Sequence, residues 1–204
     1  MTRRRLLLAL LYGTVAGAAR AQEAPRQVEG QSFAPRVQVA GESLLLNGTG
    51  VRAVAWFKAY AAGLYLTQRV NTATQVLALA GPKRLQLRML RELPAVEFVK
   101  ALKKGIERNT APAELPALVS GVQQLADQIA ALDTVRTGDV VDLDLDPALG
   151  MFFSLNGKPR GKPVADAAVF AALLRAFIGD HPYDERLKAG LLARPESRTP
   201  APAG

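Results

Sequence analysis

The sequence predicts an α+β protein in which one mostly antiparallel sheet carries a layer of helices on one face. Three observations predict this class. Short apolar runs with a period of two fill the early part of the chain, amphipathic helical patterns fill the middle, and both patterns then return in the same order. Blocks of strands followed by blocks of helices are typical of α+β folds, whereas a parallel sheet would need strands and helices in alternation.

The early strands are short runs that alternate apolar and polar residues. They cover 36–40, 43–46, 49–56 and 58–66. Asn47-Gly48 lies between two of these runs, and Asn-Gly favours the positive φ angles of a type I′ turn, so we expect a hairpin there. A further strand over 84–90 alternates three apolar with three polar residues, which predicts one buried and one solvent-exposed face.

Helical spacing fills the middle and the end of the chain. The predicted helices cover 94–108, 112–132, 164–179 and 183–192. In each of them apolar residues recur at intervals of three or four, as on a helix that buries one face. Between the second and third helices the period returns to two over 141–146, and Asn156-Gly157 predicts a second hairpin turn. Asp180 or His181 is expected near the start of the last helix.

The first 21 residues have the composition of a secretory signal. Met1-Thr2-Arg3-Arg4-Arg5 precedes an apolar run and a small-x-small site, so we expect cleavage after Ala21 and a periplasmic or secreted mature protein. The run is shorter than the ~20 residues that a membrane-spanning helix needs. The general secretory and twin-arginine routes both stay open. The expected organisation is a signal peptide at 1–21, one folded domain at 22–193, and a disordered tail at 194–204.

Composition excludes several classes of function. The 26 Lys and Arg against 18 Asp and Glu give a net charge of +8, but four arginines lie in the signal segment, which leaves an ordinary +4. A chain without Cys has no thiol catalysis and no Cys-type zinc or iron–sulfur centre, and its single His181 rules out a His-rich metal site. We therefore expect no cofactor and no metal. The basic stripe of 94–108 has few aromatic neighbours, so we expect no nucleic-acid partner either.

Three carboxylates, Asp142, Asp144 and Asp146, project from one side of a predicted strand. Such a group could bind a hard metal ion. A solvent-facing strand edge, on which charges discourage pairing with other chains, is the better interpretation.

Arg52 lies inside the most apolar stretch of the expected mature chain, residues 44–66. A guanidinium in such a strand must reach solvent, pair with a carboxylate, or be available for an anionic ligand. Glu42 is the nearest acid in sequence, and snorkelling or pairing with a distant acid stays open. Tyr60 and Tyr65 on the following strand could donate hydroxyl groups to the same anion.

Whether Arg52 and Tyr60 share a face of the sheet is left open by the sequence. A tight turn at Trp56-Phe57 would place Arg52 opposite Ala61 and Tyr60 on the other face. A bulge that shifts the register would bring the two side chains together.

An ordered set of motifs resembles the chalcone isomerase-like family. The early motifs are Leu46-Asn47-Gly48-Thr49-Gly50-Val51-Arg52 and Lys58-Ala59-Tyr60-Ala61-Ala62-Gly63-Leu64-Tyr65-Leu66. The later ones are Gly138-Asp139, Asn156-Gly157-Lys158, Phe177-Ile178-Gly179-Asp180-His181-Pro182, Leu187-Lys188 and Leu191-Leu192. The similarity runs in order from Phe33 to Leu192, and it is nearer to the bacterial exported branch than to the plant flavonoid enzymes.

The resemblance implies an open-faced β-sandwich, a large antiparallel sheet with a helical layer. In the plant isomerases the cleft uses an Arg, a strand Thr, a helix Tyr, a helix Asn and a late polar residue. These positions fall, in chain order, on or near Arg52, Tyr60, Phe98, Gly105 and Ala176. The last three supply no side-chain donor for an enolate oxygen. The chain is therefore more similar to the non-catalytic relatives, in which an Arg and a Tyr hold the carboxylate of a fatty acid.

The leading hypothesis is a periplasmic binding module, without catalysis, for a small apolar anion such as a fatty acid. Its expected ligand-binding residues are Arg52, Tyr60, Tyr65 and Phe98. One alternative is an isomerase, an intramolecular lyase on an unknown substrate with Arg52 as the electrophile, which chalcone turnover would reveal. Another is a structural or interaction protein, which predicts no pocket beside Arg52.

Overall fold

The computed structural model of the protein describes residues 23–54 and 56–193. The predicted signal peptide and C-terminal tail lie outside these residues. The strands are β1 (Arg26–Val28), β2 (Gln31–Phe33), β3 (Arg36–Val39), β4 (Glu42–Val54), β5 (Phe57–Leu66), β6 (Lys83–Met89), β7 (Leu93–Pro94), β8 (Thr134–Val135), β9 (Val140–Asp146), β10 (Gly150–Leu155) and β11 (Lys158–Pro159). The helices are α1 (Ala73–Ala78), α2 (Ala95–Arg108), α3 (Leu115–Ala130), α4 (Ala167–Ile178) and α5 (Glu185–Leu191).

The predicted α+β architecture is confirmed. Seven strands form one antiparallel sheet in the order β11-β10-β9-β6-β5-β4-β3, and helices pack on one face of it. The main core lies between this face and the helices, where Leu64 and Leu85 of the sheet and Phe170 and Ile178 of α4 are buried. Burial of these apolar side chains is the main source of stability for such a layered fold.

Asn47-Gly48 does not form the predicted turn. The turn that opens the sheet lies at Ala40-Gly41, where both φ angles are positive and Val39 pairs with Glu42. β4 continues through Asn47-Gly48, and Asn47 is the extra residue of a bulge, since Leu46 pairs with Tyr65 but Gly48 pairs with Leu64. The prediction fails because tertiary contacts outweigh the local turn preference of Asn-Gly. The second Asn-Gly, at 156–157, does turn, between β10 and β11.

The Asn47 side chain holds distant parts of the chain to β4. Its Nδ2 donates to the carbonyl oxygen of Leu191 at 2.8 Å, and its Oδ1 accepts from the backbone N–H of Val70 at 2.8 Å. The next residue, Gly48, lies directly under α5, where a Cβ would overlap the carbonyl oxygens of Gly190 and Leu191. α5 thus packs on the sheet at Asn47-Gly48.

The outer face of the sheet is covered over β4, β5 and β6. The β1–β2 hairpin precedes the first predicted strand, and its Phe33 is buried in an apolar cluster with Leu44, Leu46 and Tyr65. The polar residues predicted to face solvent from β6 are also largely covered. Gln86 is buried, and Arg88 lies over the Phe33 ring at 5.3 Å. The expectation of one wet face was wrong because a second layer shields this side.

The three strand carboxylates were expected at a sheet edge, but they lie on an inner strand. β9 lies between β6 and β10, and two of its carboxylates find partners on β6. Arg84 binds Asp144 in a bidentate manner, with both N–O distances at 2.6 Å, and Gln86 donates to Asp142 at 2.8 Å. Burial nevertheless raises the pKa of the Asp144 carboxyl, and the hydrogen bond from Arg84 opposes that shift.

Four predicted helices are present, with changes at their ends. The six-residue α1 was not predicted, since it is too short for a clear period. α5 begins later than expected, because Asp184 and not Asp180 or His181 is its N-cap. His181 is exposed, and its backbone N–H donates to the Asn109 side chain at 2.9 Å.

Candidate functional site

A cavity of about 420 Å³ lies between the sheet and the helices. Its walls are mainly apolar, with Leu87, Val141 and Phe153 from the sheet and Leu102 and Phe177 from the helices. Cavities of about 300–1,000 Å³ with apolar walls and a few polar groups are typical small-molecule sites. Arg52 lines this cavity, so the expectation of a closed cleft, which belongs to the structural-protein alternative, is wrong.

Arg52 and Tyr60 share the face of the sheet that lines this cavity. Ala53 pairs with Lys58 but Arg52 pairs with Tyr60, so Ala59 is the extra residue of a second bulge. The carbonyl oxygen of Ala59 accepts hydrogen bonds from the backbone N–H groups of Leu90 at 2.9 Å and Arg91 at 3.2 Å. The bulge thus makes the side chains of Arg52 and Tyr60 direct cross-strand neighbours, close enough for both to contact one small group.

The Arg52 guanidinium has a resident carboxylate nearby. Its Nη1 lies 3.6 Å from Oδ2 of Asp184 and donates a hydrogen bond of 2.9 Å to the carbonyl oxygen of Ala53. The guanidinium carbon also lies over the Tyr183 ring, 5.9 Å from its centroid. With 26% of its side chain exposed, Arg52 is neither free in solvent nor sealed in the core. Arg52 is therefore paired with a distant acid, which was one of the possibilities that the sequence left open. This acid lies 132 residues further along the chain.

Asp184 has structural partners of its own. Its Oδ1 accepts from the backbone N–H groups of Arg186 at 2.8 Å and Leu187 at 3.1 Å, which caps α5. Its Oδ2 accepts weakly from the backbone N–H of Ala53 at 3.4 Å. The contact with Arg52 is an ion pair without a hydrogen bond. Within 23–54 and 56–193, the Nε and Nη2 groups of the guanidinium therefore have no hydrogen-bond acceptor.

Tyr60 presents an unpaired phenol at the same place. The residue is buried, its ring stacks on Phe98 with centroids 6.5 Å apart, and it packs at a tilt against Phe177. Its hydroxyl has no hydrogen-bond partner among the residues that the structure describes. Burial raises the pKa of this hydroxyl far above its ordinary value, so it stays a neutral donor at physiological pH.

Of the other two residues expected to bind ligand, only Phe98 lines the cavity. Tyr65 lies on the opposite face of the sheet, because side chains alternate along β5 and no bulge separates it from Leu64. It is fully buried, its hydroxyl has no partner in the described part of the chain, and burial raises its pKa to about 12. The expectation that Tyr65 shares the site of Arg52 was wrong.

Two site residues were missed at the sequence level, Tyr183 and Asp184. Tyr183 lines the cavity, donates its hydroxyl to the carbonyl oxygen of Ala101 at 2.9 Å, and meets the edge of Phe177 at 5.0 Å. Its hydroxyl occupies the space over Gly105, where any Cβ would overlap it. Asp184 carried a signal, since an Asp before an apolar helical run is a good N-cap. Tyr183 carried none.

The positions that correspond to polar residues of the plant isomerases are apolar or filled. Phe98 is part of the cavity wall, Gly105 accommodates the Tyr183 ring, and Ala176 is buried in α4. Among residues 23–54 and 56–193, no three acidic or His side chains come together as metal ligands. In this same part of the chain, no helix has the length and apolarity that crossing a membrane requires.

Comparisons with known proteins agree with this architecture. A family model described as chalcone isomerase-like matches residues 25–193. The crystal structure of a fatty-acid binding protein from Arabidopsis thaliana is similar, with a TM-score of 0.57 and 17% identity over 80% of this chain and 92% of that chain. A search of curated proteins found no match. At this identity the structural likeness shows the fold.

Proposed function

The chain belongs to the chalcone isomerase-like family, and on that premise we propose that it binds a small apolar acid such as a fatty acid. The acid group would contact Arg52 and Tyr60, and the apolar chain would fill the cavity between sheet and helices. The fatty-acid binding protein of similar fold supports this choice of ligand class. The site residues and the anionic nature of the ligand belong to the proposal.

One observation carries the proposal: the Arg52 guanidinium and the Tyr60 hydroxyl, which both have unused donors, are cross-strand neighbours on the wall of a mainly apolar cavity. The described residues do not use all the donors of these two groups, so both groups can donate to a polar group that enters the cavity. A guanidinium and a phenol together suit a carboxylate, because both donate and the guanidinium adds charge. The apolar walls suit an alkyl chain.

The direct experiment is calorimetric titration of the purified protein with laurate and with dodecanol, which share a chain and differ in the head group. We expect laurate to bind more tightly, because only its carboxylate gains the charge of Arg52. If neither ligand bound, the proposal would be wrong. If both bound equally well, the cavity would bind an apolar ligand, but the acid group would have no part in recognition.

Tyr60→Phe separates binding from stability. We expect laurate affinity to fall about three- to tenfold, the value of one neutral hydrogen bond, equally at pH 7 and pH 9, because burial keeps the pKa of the Tyr60 hydroxyl above both. The free energy of unfolding should stay the same or rise, since the hydroxyl has no partner in the described residues. In the control, Tyr183→Phe, the lost bond to Ala101 should lower stability. A destabilised Tyr60→Phe protein with unchanged laurate affinity would assign Tyr60 to the fold alone.

Asp184→Asn tests whether the resident carboxylate competes with the ligand. Asn caps a helix about as well as Asp, so α5 should be retained. Removal of the negative charge 3.6 Å from Arg52 should raise laurate affinity about threefold or more and leave dodecanol affinity unchanged. Weaker laurate binding would show instead that Asp184 positions Arg52 for the ligand.

We further propose that the domain acts in the periplasm or outside the cell. The basic and apolar composition of residues 1–21 supports export. Mass spectrometry of the protein recovered from its native cells would show a chain that begins at Gln22. A chain that retains Met1 and stays in the cytoplasm would contradict the proposal.

A further inference from the structure

One end of the cavity between the sheet and the helices is open to solvent. Arg52, Val54 and Glu97 line the cavity, and each of them is partly or fully exposed. The first two lie near the end of β4, and the third lies in the first turn of α2. We call these three residues the cavity mouth, because a ligand can reach the cavity from this side.

The other end of the cavity is closed by buried apolar side chains. Leu143 of β9 and Phe153 of β10 are cross-strand neighbours, and Leu173 of α4 lines the cavity from the helical layer. Leu143 is 5% exposed, and the other two are exposed even less. We define the cavity floor as Leu143, Phe153 and Leu173.

The order of the strands separates the mouth from the floor. Arg52 lies on β4 and Phe153 lies on β10, with β5, β6 and β9 between them. Four spacings of about 4.8 Å between neighbouring strands amount to about 19 Å. A ligand that extends from Arg52 to Phe153 therefore lies across the strands.

Polar side chains lie near the mouth and not at the floor. Among the described residues that line the cavity, those with polar side-chain atoms are Arg52, Tyr60, Glu97 and Tyr183. Tyr60 pairs with Arg52, and the Tyr183 ring lies 5.9 Å from the Arg52 guanidinium carbon. A charged group against the floor would lose its hydration without gaining a partner, which is strongly unfavourable.

We propose that the cavity floor restricts the ligand to an acid with one charged end and an apolar tail of about 10–14 carbon atoms. An extended alkyl chain advances about 1.3 Å per carbon, which follows from bonds of about 1.5 Å and tetrahedral angles. The range allows for a contact distance of about 3–4 Å at each end of the chain. This inference rests on the proposed function, since it takes the acid group to lie at Arg52.

The length limit is tested by calorimetric titration of the purified protein with the saturated acids from octanoate to palmitate. We expect the affinity to rise about fourfold for each added methylene until the chain reaches the floor. Palmitate is longer than the expected range and should bind more weakly than laurate. An affinity for palmitate equal to or above that for laurate would overturn the inference.

Dodecanedioate tests the orientation of the chain. It has the length of laurate and carries a second carboxylate, so one of its charges would have to lie against the apolar floor. We expect it to bind at least tenfold more weakly than laurate. A smaller difference would show that the far end of the chain reaches solvent, and it would overturn the inference.

Three variants assign the length limit to the cavity floor. Phe153→Ala deepens the cavity and should make the best-bound acid at least two carbons longer. Leu143→Phe adds bulk beside Phe153 and should make the best-bound acid shorter, and it remains informative if Phe153→Ala does not fold. The control, Phe33→Ala, removes a buried ring from the opposite face of the sheet and should leave the preferred length unchanged.

The results distinguish this inference from the proposed function. If laurate binding depended on Arg52 but the floor variants kept the wild-type length preference, the proposed function would stand and this inference would be wrong. If none of the acids bound, both would be wrong. A length preference that follows the floor variants would support both.

Discussion

Replacing Arg52 with methionine should weaken laurate binding about ten- to a hundredfold, because a charge-assisted hydrogen bond is worth about 1.5–3 kcal/mol. Methionine keeps much of the apolar stem, so the cavity wall changes little. The charge and donors disappear. Asp184 remains the N-cap of α5, where it accepts from two backbone N–H groups, and it should not move into the site. The measurement is calorimetric titration with laurate.

Dodecanol and a second variant serve as controls for this result. Dodecanol lacks the negative charge, so its affinity should change much less than that of laurate. Arg26→Met makes the same chemical change on the exposed β1 strand and should leave both affinities unchanged. If Arg52→Met lowered the affinities of both ligands equally, Arg52 would shape the cavity and would not bind the acid group.

Gly48→Ala should lower the free energy of unfolding by about 3 kcal/mol, the upper end of the cost of overpacking a well-packed interior. The new methyl group would overlap the carbonyl oxygens of Gly190 and Leu191, and backbone atoms yield less readily than flexible side chains. α5 would have to move away from β4. Since α5 is capped by Asp184 beside Arg52, laurate affinity should change as well.

Chemical denaturation measures this loss, and Ser43→Ala provides the comparison. Ser43 lies on the same strand but is exposed, so its substitution should change stability by less than about 0.5 kcal/mol. A loss below about 1 kcal/mol for Gly48→Ala would mean that α5 is loosely seated. Gly48 would then be only a strand residue at a bulge.

Local patterns predicted most of the elements but not every connection between them. Apolar spacing predicted α2, α3 and α4 and the strand of Leu85 because each of these elements buries one regular face. The same reasoning misplaced the first hairpin at Asn47-Gly48. The side chain of Asn47 instead donates a hydrogen bond to Leu191, 144 residues away. Gly48, which has no side chain, lets α5 pack directly on the strand. No local preference contains that information.

The candidate site was also predictable only in part. Arg52 was identified because a charged side chain in an apolar strand is unfavourable unless it reaches solvent, a partner or a ligand. That argument uses only residues near it in sequence. The bulge at Ala59 that sets Tyr60 beside Arg52 is held by hydrogen bonds from Leu90 and Arg91, which come from another strand's end. The same lack of long-range information explains why Asp184 was not identified as the partner of Arg52.

By itself, the sequence determined the class of fold, the family and the presence of a cation among apolar residues, because composition and short-range periodicity encode them. Only the tertiary structure decided that Arg52 and Tyr60 share the cavity, that Tyr65 lies on the other face, and that Asp184 is the neighbour of Arg52. The physical reason is that one extra residue in a strand reverses every later side chain, and that contacts far apart in sequence select where it is placed.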